Sequence, residues 1–234
     1  MTLHEKIQAY YGGITGAHHR YRSWEHCYRY FHRATPEALA VDRDHAALQL
    51  GFYLASWGMY RGSSFLLQHA YTAHLGVIDQ LVAPRFSVLW KQEFGAGNND
   101  LTLMPIILEA MDAVREAYRP FAPMAEARQA SDTLVTKVLL GTFGCLPACD
   151  RYFIEGFKSS GLQFSYPNAK FLERIARFCR DHGGELRAEQ ETIEHAGGIR
   201  YPLMKLVDMY FWQIGFERSR LTDEPLQPKS TAPR

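Results

Sequence analysis

The chain has 234 residues, 47% hydrophobic and 22% charged, which is enough apolar side chain for a substantial core and excludes wholesale disorder. Its 26 Lys and Arg against 25 Asp and Glu leave a formal charge of +1, so any attraction to a polyanion has to come from local clustering. Four cysteines are too few for a disulfide scaffold and fit reduced thiols in a cytoplasmic protein.

Met1 to Lys6 holds no basic stretch followed by an apolar one, and no uncharged run reaches the ~20 apolar residues of a membrane span. A soluble, cytoplasmic chain without a membrane partner is expected. Thr2 and Glu5 have capping-box spacing and predict a first helix through Tyr11, ended by Gly12, Gly13 and Gly16. Helical spacing then predicts elements over 23–33, 44–57, 65–82, 85–94, 101–118 and 132–140. Pro147 suits the first residue of the next helix. A helix over 168–180 ends before Gly183-Gly184, residues 185–200 are ambiguous, and Pro202 opens a long last helix. The expectation is a compact all-α domain over 1–221, with room for two helical lobes and a cleft, and a disordered Pro-containing tail over 222–234.

Charge is scarce in two places. Between Thr133 and Cys149 the only charge is Lys137, with Asp150 next in line; between Ala46 and Ile78 the only one is Arg61. Isolated ions in apolar runs need partners or a wet pocket, because an unpaired buried ion is very costly. Leu134 and Leu140 flank Lys137 on its helix, so its ammonium is expected to be partly desolvated, which lowers its pKa. Asp150, in the first turn of a helix opened by Pro147, sits where free amides and the helix dipole favour a carboxylate. The structural alternative is a plain helix cap and a lysine that snorkels to solvent.

Thr136-Lys137-Val138, a short loop, and then Pro147-Ala148-Cys149-Asp150 together resemble the helix-hairpin-helix DNA glycosylase superfamily, over about 25 residues. The likeness is greatest to divergent prokaryotic members with a shortened Ser-Lys…Pro-x-x-Asp pattern, in which this chain has Thr136 in place of the Ser. The family's glycine-rich hairpin has no counterpart, since Ala130 to Val135 contain no glycine. The resemblance implies an all-helical enzyme that flips a modified nucleotide out of duplex DNA and cleaves its glycosidic bond. It implies Asp150 as the stabiliser of the sugar cation and Lys137 in a supporting role. Trp57, Tyr60, Arg61, Ser63 and Ser64 are the candidate base pocket, with a ring to stack on and polar groups to read substituents. A lip of hydroxyls and Arg favours a sugar-bearing base, such as the glycosylated hydroxymethylcytosine of phage DNA, and hence antiviral defence; repair of oxidised or alkylated bases is the variant reading.

His18 to Arg33 interleaves four arginines and five aromatics with a single Glu. Arg20, Arg22, Ser23, Trp24 and Arg29 are its candidate DNA contacts, with Ser23 as a helix cap offering amides to phosphate. The alternative packs Trp24 inward. His18, His19, His26 and Cys27 lack zinc-type spacing, so neither a metal nor another cofactor is expected. Two rival functions stand beside the glycosylase: a HEPN-like ribonuclease using Arg177 and His182, whose spacing fits Arg-x4-His, and a non-catalytic helical binding protein whose lone charges form a buried network.

Overall fold

The computed structural model describes residues 2–14, 16, 19–97, 99–121, 130–197 and 199–223. Among them there are eleven α-helices and no strand, so the all-α expectation holds. His18 and the tail from 224 onward lie outside the described residues.

The local rules of capping place most helix starts. Helix α1 (Leu3–Ile14) opens on the predicted capping box, with the Thr2 amide donating to Glu5 at 2.7 Å and the Glu5 amide to Thr2 Oγ1 at 3.2 Å. A 3-10 turn over Arg20–Arg22 leads into α2 (Ser23–Arg33). A short α3 (Pro36–Val41), not anticipated from periodicity, has Thr35 as its cap and Pro36 at its first position. Helix α4 (Arg43–Ser56) ends at Trp57 and the left-handed Gly58.

The run over 65–82 is not one helix. It divides into 3-10 turns over Phe65–Gln68 and Tyr71–His74 and a short α5 (Leu75–Leu81). The 85–94 segment has only a 3-10 turn over Pro84–Phe86 and further turns. Both segments still bury apolar residues, among them Leu66, Ala73, Phe86 and Leu89, because 3-10 turns repeat at spacings close to the helical one.

Helix α6 (Asp100–Tyr118) precedes α7 (Asp132–Gly141), whose cap Ser131 accepts the Leu134 amide at 3.2 Å. Every residue of α7 from Leu134 to Gly141 is buried, which makes it the axis of the core. Its last carbonyls have no partners within the helix and are reached from α2: Trp24 Nε1 donates to Leu140 at 3.1 Å and the Cys27 thiol to Gly141 at 3.4 Å. The Tyr53 hydroxyl of α4 donates to the Lys137 carbonyl at 3.2 Å.

Helix α8 (Arg151–Ser159) begins four residues later than Pro147 suggested. Pro147 lies instead in a buried irregular segment. Helices α9 (Ala169–Asp181) and α10 (Gly183–Gly197) follow, so the ambiguous 185–200 region is helical almost throughout. Helix α11 (Leu203–Asp223) runs two residues into the predicted tail. It crosses α8 with backbones in contact, since a Cβ on Gly156 would stand 1.8 Å from the Phe211 carbonyl oxygen and one on Gly215 2.0 Å from that of Tyr152. One continuous cluster of buried apolar side chains joins Leu3 to Phe211. No helix among the described residues is long and apolar enough to cross a membrane.

Candidate active site

Three hydrogen bonds fix the segment that delivers Asp150. Thr136, one turn into α7, accepts the Cys149 amide at 2.9 Å, and the Thr133 hydroxyl donates to the Cys149 carbonyl at 2.9 Å. Asp208 of α11 accepts the Ala148 amide at 3.1 Å. Asp150 is therefore the cap of α8 and not a first-turn residue: its Oδ1 accepts the amides of Tyr152 and Phe153, both at 3.1 Å. That leaves Oδ2 for the Lys137 ammonium, 3.9 Å away, with the Lys137 side chain 6% and the Asp150 side chain 17% exposed.

Lys137 does not snorkel. Its Nζ donates to the Trp57 carbonyl at 3.0 Å and lies 5.6 Å from the Trp57 ring centre. Burial lowers its pKa, opposed by the carboxylates of Asp150 and Asp208, while the cations Arg61 and Lys205 lower it further.

Beneath this pair lies a second one. Lys205 and Asp208 meet at 2.8 Å with both side chains 1% exposed, and Lys205 Nζ sits 4.5 Å from the Trp57 ring centre and 3.2 Å from the Tyr10 hydroxyl. Burial pushes the Asp208 carboxyl up and the Lys205 ammonium down, each toward its neutral form, and the attraction between them opposes both shifts. The sequence carried the signal for this pair: two isolated charges in the apolar run Tyr201 to Phe211, the same pattern that singled out Lys137.

Lys137 and Asp150 open on a cleft of about 970 Å³ between α1, the end of α4, the start of α8 and α11. Its walls are aromatic. The Tyr21 and Trp57 rings lie 5.1 Å apart, and Trp212 meets Tyr152 at 5.1 Å and Tyr21 at 6.1 Å. Arg20, Arg61 and Arg151 stand among its lining residues, exposed, and none reaches a carboxylate within 4.0 Å among the described residues. Among the described residues Asp150 is the sole carboxylate of the lining. Trp57 Nε1 is a buried donor with no acceptor among the described residues. No family model, curated protein or solved structure matches the chain.

The structure brings together Lys137, Asp150, Trp57, Arg61 and Arg20 from the sequence-derived set. It separates the others. The Tyr60 hydroxyl is paired with His74 Nε2 at 2.7 Å, Ser64 caps the 3-10 turn by accepting the Leu66 amide, and Ser63 is exposed outside the cleft lining. The hydroxyl-rich lip expected there is absent, since neither Ser63 nor Ser64 is among the residues that line the cleft.

Among the DNA-contact candidates, Ser23 and Trp24 are buried and cannot face a duplex. Ser23 is inside α2 and makes no cap, and the N-cap position falls to Arg22 with no side-chain cap bond. Trp24 is committed to the end of α7. Arg22 pairs with Glu25 at 3.3 Å, and Arg29 lines a different groove. Neither Arg177 nor His182 lines the cleft: Arg177 is exposed on α9, and His182 packs on Phe178 and pairs with Glu185 at 3.0 Å. Sequence reasoning missed Tyr21, Arg151, Tyr152 and Trp212, which only the packing of the Arg20–Arg22 turn, α8 and α11 gathers in one place. Among the described residues, no three His, Cys, Asp or Glu side chains are grouped to hold a metal ion.

Proposed function

We propose that the protein is a DNA glycosylase that hydrolyses the bond between sugar and base of a modified nucleotide received in the Lys137–Asp150 cleft. The observation that carries the reading is the pairing at 3.9 Å of a desolvated ammonium with a carboxylate whose other oxygen is fully used in capping α8. A carboxylate held in place in this way need not reorganise when positive charge develops beside it.

In the proposed reaction the C1′–N bond breaks and its electron pair leaves with the base, while Asp150 stabilises the oxocarbenium character of the sugar. Water adds to C1′ and passes a proton to Asp150, and the anionic base takes up one proton from solvent while Asp150 returns its own to solvent, giving a free base and an abasic sugar. Tyr21, Tyr152 and Trp212, half-buried in the cleft wall, offer ring surface to an extruded base, with the buried Trp57 packed behind Tyr21. Arg20, Arg61 and Arg151 are free to meet phosphates or polar substituents.

The volume is near the upper end of small-molecule sites, roughly 300–1,000 Å³, and so leaves room for a base enlarged by a substituent. Removal of hypermodified bases such as glycosylated hydroxymethylcytosine, and through it defence against phage, is the biological role that fits best. The hydroxyls of Ser63 and Ser64 no longer support that role; the size of the cleft and Arg61 do. Incubation of the protein with unmodified, oxidised and phage-modified DNA, followed by an aldehyde-reactive assay for abasic sites, tests the reading. Abasic sites are expected in modified DNA, and their absence from every substrate rejects it.

A further inference from the structure

The far half of α2 borders a second groove, of about 440 Å³, whose other walls come from residues 89–93, 143–144 and 199–202. Its charge is one-sided. Arg29, Arg33 and Lys91 line it, and none reaches a carboxylate within 4.0 Å among the described residues. Among the described residues one carboxylate lines it, Glu93, whose Oε1 accepts both the Leu203 amide at 2.6 Å and the Gln190 side-chain amide at 2.9 Å. Arg29 Nε is buried with no acceptor among the described residues. A guanidinium without a carboxylate partner and with an unmet donor favours an anionic oxygen at whichever of its groups reaches the groove.

Flat rings run beside these cations. Trp24 stacks under Tyr28 at 5.0 Å with planes 14° apart, Tyr28 meets His32 at 4.0 Å, and His32 meets Trp90 at 6.0 Å. Tyr28 is covered by Trp24 on one side and His32 on the other, so the stack ends at the exposed His32 beside Trp90. Unpaired cations next to that end match a ligand that carries both a phosphate and a planar heterocycle. An acidic peptide would use the cations and leave the rings without a role.

We infer that this groove is a second, separate site for a nucleotide unit, with its phosphate on Arg29, Arg33 and Lys91 and its base against His32 and Trp90. The unit comes either from a free nucleotide or from one residue of a DNA strand. The inference does not depend on chemistry in the Lys137–Asp150 cleft.

Photo-crosslinking of the full chain tests it, with 5-iododeoxyuridine monophosphate as one probe and a short oligothymidylate carrying one 5-iododeoxyuridine as the other, followed by peptide mapping. Adducts are expected on His32 or Trp90. With the monophosphate they identify a free-nucleotide site, and with the oligomer alone they identify a strand site. Arg33 and Lys91 are exposed, so the double variant Arg33→Gln/Lys91→Gln should fold normally; it should lose groove adducts on the order of tenfold and leave any adduct at Trp57 or Tyr152 unchanged. Arg29→Gln should act in the same direction. No groove adduct with either probe, or competition by polyglutamate equal to that by unlabelled oligothymidylate, overturns the inference. A protein that never released a base would still give the groove adducts, so the two proposals fail separately.

Discussion

The carboxylate of Asp208 accepts the Ala148 amide at 3.1 Å, so a buried charge on the last helix fixes the loop that delivers Asp150 to the cleft. The same carboxylate holds Lys205, which lies against the Trp57 ring. Removing one partner leaves the other charge buried and unpaired, which costs about 3–5 kcal/mol. Asp208→Ala should therefore lower the urea-unfolding free energy by that amount, and Lys205→Met/Asp208→Leu should recover a large part of it. A double variant no more stable than the single one would show that the loop contact, and not the stranded ammonium, dominates.

The crossing of α8 and α11 predicts a sharp contrast between two glycines. Gly156→Ala drives a methyl group into the Phe211 carbonyl oxygen and should destabilise the protein by about 3 kcal/mol or more. Gly183→Ala, where nothing lies within 4 Å of the added carbon, should be neutral or slightly stabilising. Thermal unfolding of the two variants measures the difference.

His74 predicts an acid limb in stability. It is buried between two tyrosines, its Nε2 2.7 Å from the Tyr60 hydroxyl and its Nδ1 2.7 Å from that of Tyr118, and burial pulls its pKa down to about 4. Between this value and the ordinary 6.5 the unfolded chain binds the proton and the folded chain does not. Stability from this group is therefore lost as pH falls from 6.5 toward 4, by about 3 kcal/mol, and changes no further below that. His74→Gln should start from a lower stability and show a shallower slope over the same range in urea titrations.

Much of this arrangement was legible in the sequence, for identifiable reasons. The Thr2–Glu5 capping box, Ser131 before α7 and Asn168 before α9 are local signals, and each works as its chemistry requires. Lys137 stood out because a charge in an apolar run must be compensated, and Asp150 does lie beside it. Lys205 and Asp208 obeyed the same rule and could have been found with it. Pro147 misled because proline also suits a buried irregular segment, while the hydrogen bonds that begin α8 belong to Asp150. Trp24 was ambiguous because aromatics between arginines suit a nucleic-acid surface or a core equally well. Only the packing of α2 on the last carbonyls of α7 decides between them.

The role of Lys137 gives a further test. Its ammonium is anchored to the Trp57 carbonyl and faces Asp150, which suits support of the sugar cation's surroundings rather than attack on the sugar. Borohydride added during turnover should trap no covalent complex with DNA. A trapped complex that disappears in Lys137→Met would instead make Lys137 the nucleophile.

The most direct measurement is base release by Asp150→Asn on whichever modified DNA the unaltered protein processes. Asparagine can still cap α8 through its side-chain oxygen, but it strips the buried Lys137 ammonium of its nearest carboxylate, so unfolding free energy should fall by about 1–3 kcal/mol and base release is compared on protein shown to be folded. The carboxylate charge beside Lys137 is lost, and formation of abasic sites should fall by roughly 10²–10³-fold. A folded Asp150→Asn protein that releases base at the original rate would contradict the assignment of the cleft.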